Sequence, residues 1–235
     1  MNRKALLQRW GALHFELDQA NVRLLAVSKY ASDESVRCLV DAGQMDFGES
    51  RPQNLRDRAE RFPDVNWHMI GPLQKNKAKY IGRYAFMWHS VEDIETAQAV
   101  AAHVRGRRLP VMLQVNVAGT PHQHGVEIGQ AGAIFEQLMN IPSLEIRGLM
   151  CMAPKDSDGR ACFRALCHLR DKLSGGSLRP LRYTDDLKLC MGMSGDYRIA
   201  IEEGSDMVRL GSTLFGLGNN DFIKNGIKED MDAKP

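Results

Sequence analysis

Short apolar runs of strand character recur along the chain, each followed by a longer stretch with helical spacing. The runs are "LLAVSKY" from Leu24, "MDFGES" from Met45, "VNWHMIG" from Val65, "FMWHSVE" from Phe86, "VMLQVNV" from Val111, "LEIRGLMCM" from Leu144, "LKLCMGMS" from Leu187 and "DMVRLGSTLFG" from Asp206, eight in all. Between them the spacing predicts helices over Asp33–Ala42, Gln53–Arg61, Ile94–Val104, Gln130–Met139, Asp158–Leu173 and Gly195–Glu203. Ser32 or Asp33 is placed to cap the first of these and Gly43 to end it. Asp93 and Glu95 stand where a helix start favours negative charge. Eight strands alternating with helices over 235 residues are the pattern of an α/β fold, a single (β/α)8 TIM barrel. An open doubly wound sheet is the alternative, but "SKYASDES" after the first strand contains no glycine for a dinucleotide turn.

Ahead of the first strand, Leu6, Leu7, Trp10, Leu13 and Leu17 fall near one face of an added N-terminal helix. No internal repeat, low-complexity tract or linker divides the chain, so residues 1–235 read as one domain. The segment Leu173–Lys188 reads as a loop with room for an extra turn or hairpin. The polar, lysine-rich tail after Asn219 is expected to fray.

Composition narrows the picture by exclusion. The formal net charge of +2 supplies no drive toward nucleic acid or an acidic membrane surface. No apolar run is long enough to cross a bilayer, and the N-terminus lacks the apolar core of a signal peptide. The five cysteines, Cys38, Cys151, Cys162, Cys167 and Cys190, are odd in number and scattered, which suits reduced thiols in a cytoplasmic protein. His122 and His124 in "TPHQHG" are two histidines without a completing ligand set, and no metal site is expected.

In a barrel, chemistry gathers where the strands end. The strand ends read as Ser28–Lys29–Tyr30, Glu49–Ser50, His68, His89–Ser90, Asn116, Met150–Met152, Ser194–Gly195 and Gly211–Ser212–Thr213. Ser194 alone reads as a helix cap and Gly211 alone as a packing glycine. Together, after the seventh and eighth strands, they stand where barrels place phosphate. Lys29 is either a salt-bridged rim charge or a site amine. An ordinary lysine titrates near about 10.4 and is a poor nucleophile, but an apolar barrel mouth lowers that value. A phosphate site opposite such an amine suggests pyridoxal 5′-phosphate.

The segments "AVSKY", "FGES", "WHMIGPLQKNK", "GLMCMAP" and "MGMSGDYRIAIEEGSDMVRLGSTLFG" resemble the pyridoxal phosphate homeostasis proteins, from about Leu24 to Gly216. The resemblance implies a barrel like the N-terminal domain of alanine racemase. It implies that Lys29 carries pyridoxal 5′-phosphate as an internal aldimine and that Ser194 and Gly195 form the phosphate-binding turn. It also implies that Gly211, Ser212 and Thr213 hold phosphate while Arg209 lies toward the ring. An arginine beside the pyridine nitrogen leaves that nitrogen unprotonated and the ring a weaker electron sink. The chain departs from the family pattern twice. Ser50–Arg51 replaces an asparagine after "FGE", and Gln123–His124 stands where a lysine precedes the loop glycine.

The functional reading is a non-catalytic, cytoplasmic pyridoxal phosphate-binding protein of vitamin B6 homeostasis, whose further partners would be apoenzymes that use the cofactor. A racemase is the alternative; it needs an acid and a base on opposite faces of the substrate α-carbon, with Lys29 on one face and Tyr30 or Tyr197 as candidates for the other. A lysine-imine aldolase without cofactor is a third reading, with Glu49 or His68 as its acid and base.

Overall fold

Eight parallel strands close into a ring in the computed structural model, which describes residues 2–154, 157–175 and 187–216. The strands are β1 (Arg23–Val27), β2 (Asp46–Glu49), β3 (Asn66–Met69), β4 (Met87–Val91), β5 (Leu109–Asn116), β7 (Leu144–Met150), β8 (Lys188–Met193) and β9 (Met207–Leu210), with a two-residue β6 (Val126–Glu127) outside the ring. The first strand of the ring pairs with the last, Leu25 opposite Arg209. Between β4 and β5 the closure sets Trp88 opposite Val111. All eight runs of strand character become the eight staves of the barrel, so the fold is the (β/α)8 barrel read from the pattern.

The helices are α1 (Arg3–Gln19), α2 (Asp33–Asp41), α3 (Pro52–Arg61), α4 (Ala78–Tyr84), α5 (Ile94–Ala101), α6 (Ala131–Met139), α7 (Arg160–Gly175), α8 (Tyr197–Glu202) and α9 (Ser212–Phe215). Ser32 caps α2 by accepting the Ser35 amide, and Asp93 caps α5 by accepting that of Thr96 at 2.6 Å. The pattern did not predict α4, whose buried face is only Ala78, Ile81 and Gly82, too thin to register as a periodicity. The loop expected over Leu173–Lys188 overlaps α7 up to Gly175 and otherwise lies mostly outside the described residues, as does the tail after Asn219.

Two separate apolar cores follow from strand alternation. One lies between the ring and its helices and includes Phe47, Trp67, Trp88 and Phe163. The other fills the ring and takes Leu25, Met87, Met112, Met150, Cys190 and Met207, one residue from each of six strands. Four of these six are methionines, whose unbranched chains fill an irregular interior.

The N-terminal helix buries Leu6, Leu13 and Leu17. Its polar residues clamp the last two βα segments. Arg9 donates to the carbonyls of Leu214 (2.8 Å) and Phe215 (3.1 Å). Glu16 accepts from the Tyr197 hydroxyl (3.1 Å) and from Arg198 (2.7 Å). Thus α1 braces from outside the two segments that follow β8 and β9.

Candidate functional site

Three neighbouring strands deliver the candidate residues to one corner of the barrel mouth. In the ring, β9 lies between β8 and β1. Ser194–Gly195, Gly211–Thr213 and Lys29 are the residues that follow these strands. The ends of β8 and β9 are joined directly, because the Thr213 amide donates to Ser194 Oγ (3.2 Å). Gly211 lies against the end of β1, where an added Cβ would stand 3.4 Å from the Val27 carbonyl oxygen, an ordinary contact.

Local bonds set the position of Lys29. The preceding amide, of Ser28, continues the ladder to the Gly48 carbonyl (3.0 Å), and the Ser28 carbonyl accepts from Ala31 (2.8 Å) to turn the chain. Lys29 is exposed at the mouth, with its amine 5.1 Å from the centre of the Tyr30 ring. The protein packed about the amine withdraws solvent and lowers its pKa from the ordinary lysine value, and the Glu49 carboxylate partly opposes this. The direction favours the neutral, nucleophilic form.

Glu49 itself is turned away from the mouth. It is 1% exposed, accepts from Ser28 Oγ at 2.7 Å, and lies 3.7 Å from Arg58 Nε. Arg58 also bonds Asp33 and the Ala31 carbonyl. Alternation along β2 puts Glu49 on the helix side of the sheet, so it cannot be the mouth acid that an aldolase requires.

His68 and His89 read as strand-end residues in the sequence, yet they lie within the ring below the mouth. His68 Nδ1 and His89 Nε2 are 2.7 Å apart, and His68 Nε2 is 3.1 Å from Asp46 at the start of β2. Both imidazoles are fully buried, and burial lowers both pKa values. Asp46, hydrogen-bonded to His68 and Arg23, is held well below the ordinary carboxylate range against the opposing effect of its burial. His68 is therefore committed to the interior, which removes the second acid–base candidate of the aldolase reading.

Arg209 points into the ring from β9. Its Nη1 donates to the Cys190 carbonyl (2.7 Å) and Sγ (3.2 Å), and its Nη2 donates to the Cys151 carbonyl (2.8 Å). Burial pushes the Cys151 thiol up to about 12 and also raises that of Cys190, so both thiols stay neutral.

Two residues of this corner were missed in the sequence. Asp196 closes the turn after β8 by accepting the Met193 amide at 2.6 Å; the acidic residue three positions on is the signal of such a turn. Gly192 has φ +94°, and a Cβ there would lie 2.6 Å from that of Ala200, so only glycine lets β8 turn into α8.

Both departures from the family pattern meet on the β2–β5 side of the mouth. Ser50, Arg51, Lys77, Glu92 and His124 line one cleft of about 450 Å³. Glu92 accepts from the Gly125 amide at 2.9 Å and lies 3.1 Å from His124 Nδ1. At Gly71 of the "IGPLQ" motif, a Cβ would overlap the Ser50 carbonyl oxygen at 2.2 Å. That glycine is required because the loops after β2 and β3 touch.

The donor set suits a phosphate monoester that carries an aldehyde. Ser194, Ser212 and Thr213 bring hydroxyls, the Ser212 amide at the start of α9 has no intrahelical acceptor, and Lys29 brings a primary amine just after the adjoining strand β1.

Comparison with known proteins agrees with this chemistry. The family described as alanine racemase, N-terminal domain, matches residues 1–219. A pyridoxal phosphate homeostasis protein of Deinococcus radiodurans is 37% identical over 196 residues, covering 83% of this chain and 88% of that protein. PipY of Synechococcus elongatus PCC7942, solved without pyridoxal phosphate, is 31% identical, with a TM-score of 0.80 over 89% of this chain and 99% of that one. The same protein with pyridoxal phosphate bound is 30% identical, with a TM-score of 0.76 over 90% and 100%. Taken with the barrel and the corner that β1, β8 and β9 build, these matches show that the chain belongs to the pyridoxal phosphate homeostasis protein family, within the alanine racemase N-terminal domain fold.

Proposed function

We propose that this chain is a pyridoxal 5′-phosphate-binding protein of vitamin B6 homeostasis, with Lys29 as the amine bonded to the cofactor. The observation that carries this reading is the convergence of Lys29, Ser194–Gly195 and Gly211–Ser212–Thr213 on one corner, tied by the Thr213–Ser194 bond. Bound there, pyridoxal phosphate supplies an aldehyde that condenses with a primary amine. Lys29 presents that amine with a lowered pKa. Gly195 and Gly211 leave backbone accessible, and Ser194, Ser212 and Thr213 donate to the phosphate. Arg209, anchored on the Cys190 and Cys151 carbonyls, would present its guanidinium to the ring nitrogen.

The reading is of a holder and carrier rather than a catalyst, working in the cytoplasm and passing its cofactor to apoenzymes. Racemisation needs a second group opposite Lys29. The Tyr197 hydroxyl is engaged with Glu16 of α1, outside the ring, and is unsuited to that part. No helix among the described residues is long and apolar enough to cross a membrane.

Titration of the purified chain with pyridoxal phosphate is expected to produce a visible absorbance band, and incubation with L-alanine in deuterium oxide no α-carbon exchange. A chain that stays colourless at saturating cofactor would remove the proposal. Rapid exchange would replace the carrier with a racemase.

A further inference from the structure

Gln114 and Asn116, near the end of β5, are buried polar residues that the cofactor reading does not use. Met112 and Met150 belong to the interior core, and Gln114 lies opposite Met150. Side chains alternate along a strand, so Gln114 and Asn116 share the inner face. Both turn their amides to the loop that follows. Asn116 Nδ2 donates to the carbonyls of Thr120 (3.0 Å) and Gln123 (3.2 Å), and its Oδ1 accepts from the Thr120 amide (3.2 Å). Gln114 Nε2 donates to the His124 carbonyl at 3.0 Å. Glu92, after β4, accepts from the Gly125 amide at 2.9 Å. Gly125 has φ +117°, and a Cβ there would lie 2.7 Å from the Asn116 backbone nitrogen, so the loop closes on its own strand only with glycine at that position.

One side chain of this fixed loop reaches the end of the neighbouring strand. Gln123 is half-buried, and its Nε2 donates to the Met152 carbonyl at 2.7 Å. Met152 lies just beyond β7, which ends at Met150. Past Met150 the ladder thins to one long bond, from the Cys151 amide to the Cys190 carbonyl at 3.4 Å. The Cys151 carbonyl then accepts from Arg209 Nη2 at 2.8 Å. Two consecutive carbonyls, of Cys151 and Met152, are thus taken by Arg209 and by Gln123.

The two anchors of Arg209 differ in firmness. Nη1 donates to the Cys190 carbonyl, which lies within β8. Nη2 has its acceptor on a segment outside the sheet. The orientation of the guanidinium plane therefore depends on where the Cys151 peptide stands. Rotation of that peptide would withdraw the acceptor from Nη2, and the bond from Gln123 to the next carbonyl opposes the rotation. Arg209 is 4% exposed, so solvent does not replace a lost acceptor, and a buried charged donor without one is costly.

We propose that Gln123 is a positioning residue for Arg209: through the Met152 carbonyl it holds the Cys151 peptide, and with it the guanidinium plane, in one orientation. Gln114, Asn116 and Glu92 serve the same end by holding the loop that carries Gln123. The consequence for the cofactor, an N–H aimed at the ring nitrogen, rests on the reading above; the brace itself does not.

Nitrogen-15 NMR of the arginine side chains in the full-length chain without cofactor tests the brace. Burial of Arg209 slows exchange of its Nε–H and makes the signal observable. Gln123→Met keeps the length, adds no charge and removes the donor. It should shift the Arg209 Nε–H signal and speed its exchange with water, at unchanged circular dichroism. Gln123→Lys, which restores a donor, should return both toward the wild-type values. An Arg209 signal unmoved in folded Gln123→Met, or moved equally in Gln123→Lys, would overturn the proposal whether or not the cofactor binds. In protein loaded with pyridoxal phosphate, Gln123→Met should also shift the visible absorbance maximum, and Gln123→Lys should restore it. A shifted arginine signal with an unshifted maximum would leave the brace standing and remove Arg209 from the ring nitrogen.

Discussion

The barrel carries two polar clusters, and they differ in what satisfies them. At the mouth, Lys29, Ser194, Ser212 and Thr213 stand on segments that follow strands, and Thr213 bonds Ser194. In the interior, Asp46, His68 and His89 satisfy one another along a chain of 2.7 and 3.1 Å contacts. Both clusters contain titratable groups with shifted pKa values, and the shift alone does not tell a ligand site from a structural network. Geometry separates them. The mouth groups come from the ends of β1, β8 and β9, three neighbouring strands, whereas the interior groups bond one another in series and leave His89 Nδ1 over.

Substitutions can break this contrast, beginning with the largest effect. Lys29→Ala is expected to abolish the visible band of lysine-bound cofactor without unfolding the chain, since an exposed side chain contributes little to the core. Lys29→Arg should behave alike, because a guanidinium stays protonated. Absorbance together with circular dichroism checks both. Gly211→Asp should come next and eliminate cofactor retention on gel filtration. The cause is charge, because the Cβ itself fits at 3.4 Å from the Val27 oxygen; Gly211→Ala should therefore retain most binding. Equal losses in the two variants would mean that space rather than charge decides.

The interior responds through stability instead. Asp46→Ala removes the acceptor of a buried network and is expected to cost about 3 kcal/mol, read from the urea midpoint. The pH dependence has a definite sign. Both histidines have folded pKa values below the unfolded value near about 6.5, so the unfolded chain binds more protons as pH falls below that point. Stability should then decline from about pH 6.5 downward, and further below about pH 4 as Asp46 contributes. His89→Gln should flatten the upper part of that decline. The smallest effect is expected for Ser194→Ala, which loses one bond to the Thr213 amide and should weaken cofactor binding by about 1 kcal/mol, seen in an absorbance titration.

The same contrast explains what was legible in the sequence. Strand alternation and spacing displayed all eight strands, and with them which residues follow β1, β8 and β9, because strand ends follow chain order. The capping roles of Ser32 and Asp93 were equally local. The network of Asp46, His68 and His89 was not visible, because it depends on register between strands: His68 pairs with Gly48 across β2 and β3, and with Met87 across β3 and β4. Glu49 looked like a mouth residue for the same reason. A strand end points to either face, and only the pairing shows that Glu49 faces Arg58.

Which amine holds the cofactor decides whether the corner at β1, β8 and β9 is the binding site. The most direct measurement is borohydride reduction of the chain loaded with pyridoxal phosphate, followed by proteolysis and mass mapping. A single pyridoxyl adduct on the peptide containing Lys29 is the predicted result. An adduct on Lys75 or Lys77, with Lys29 unmodified, would contradict it and move the site to the cleft beside Ser50 and His124.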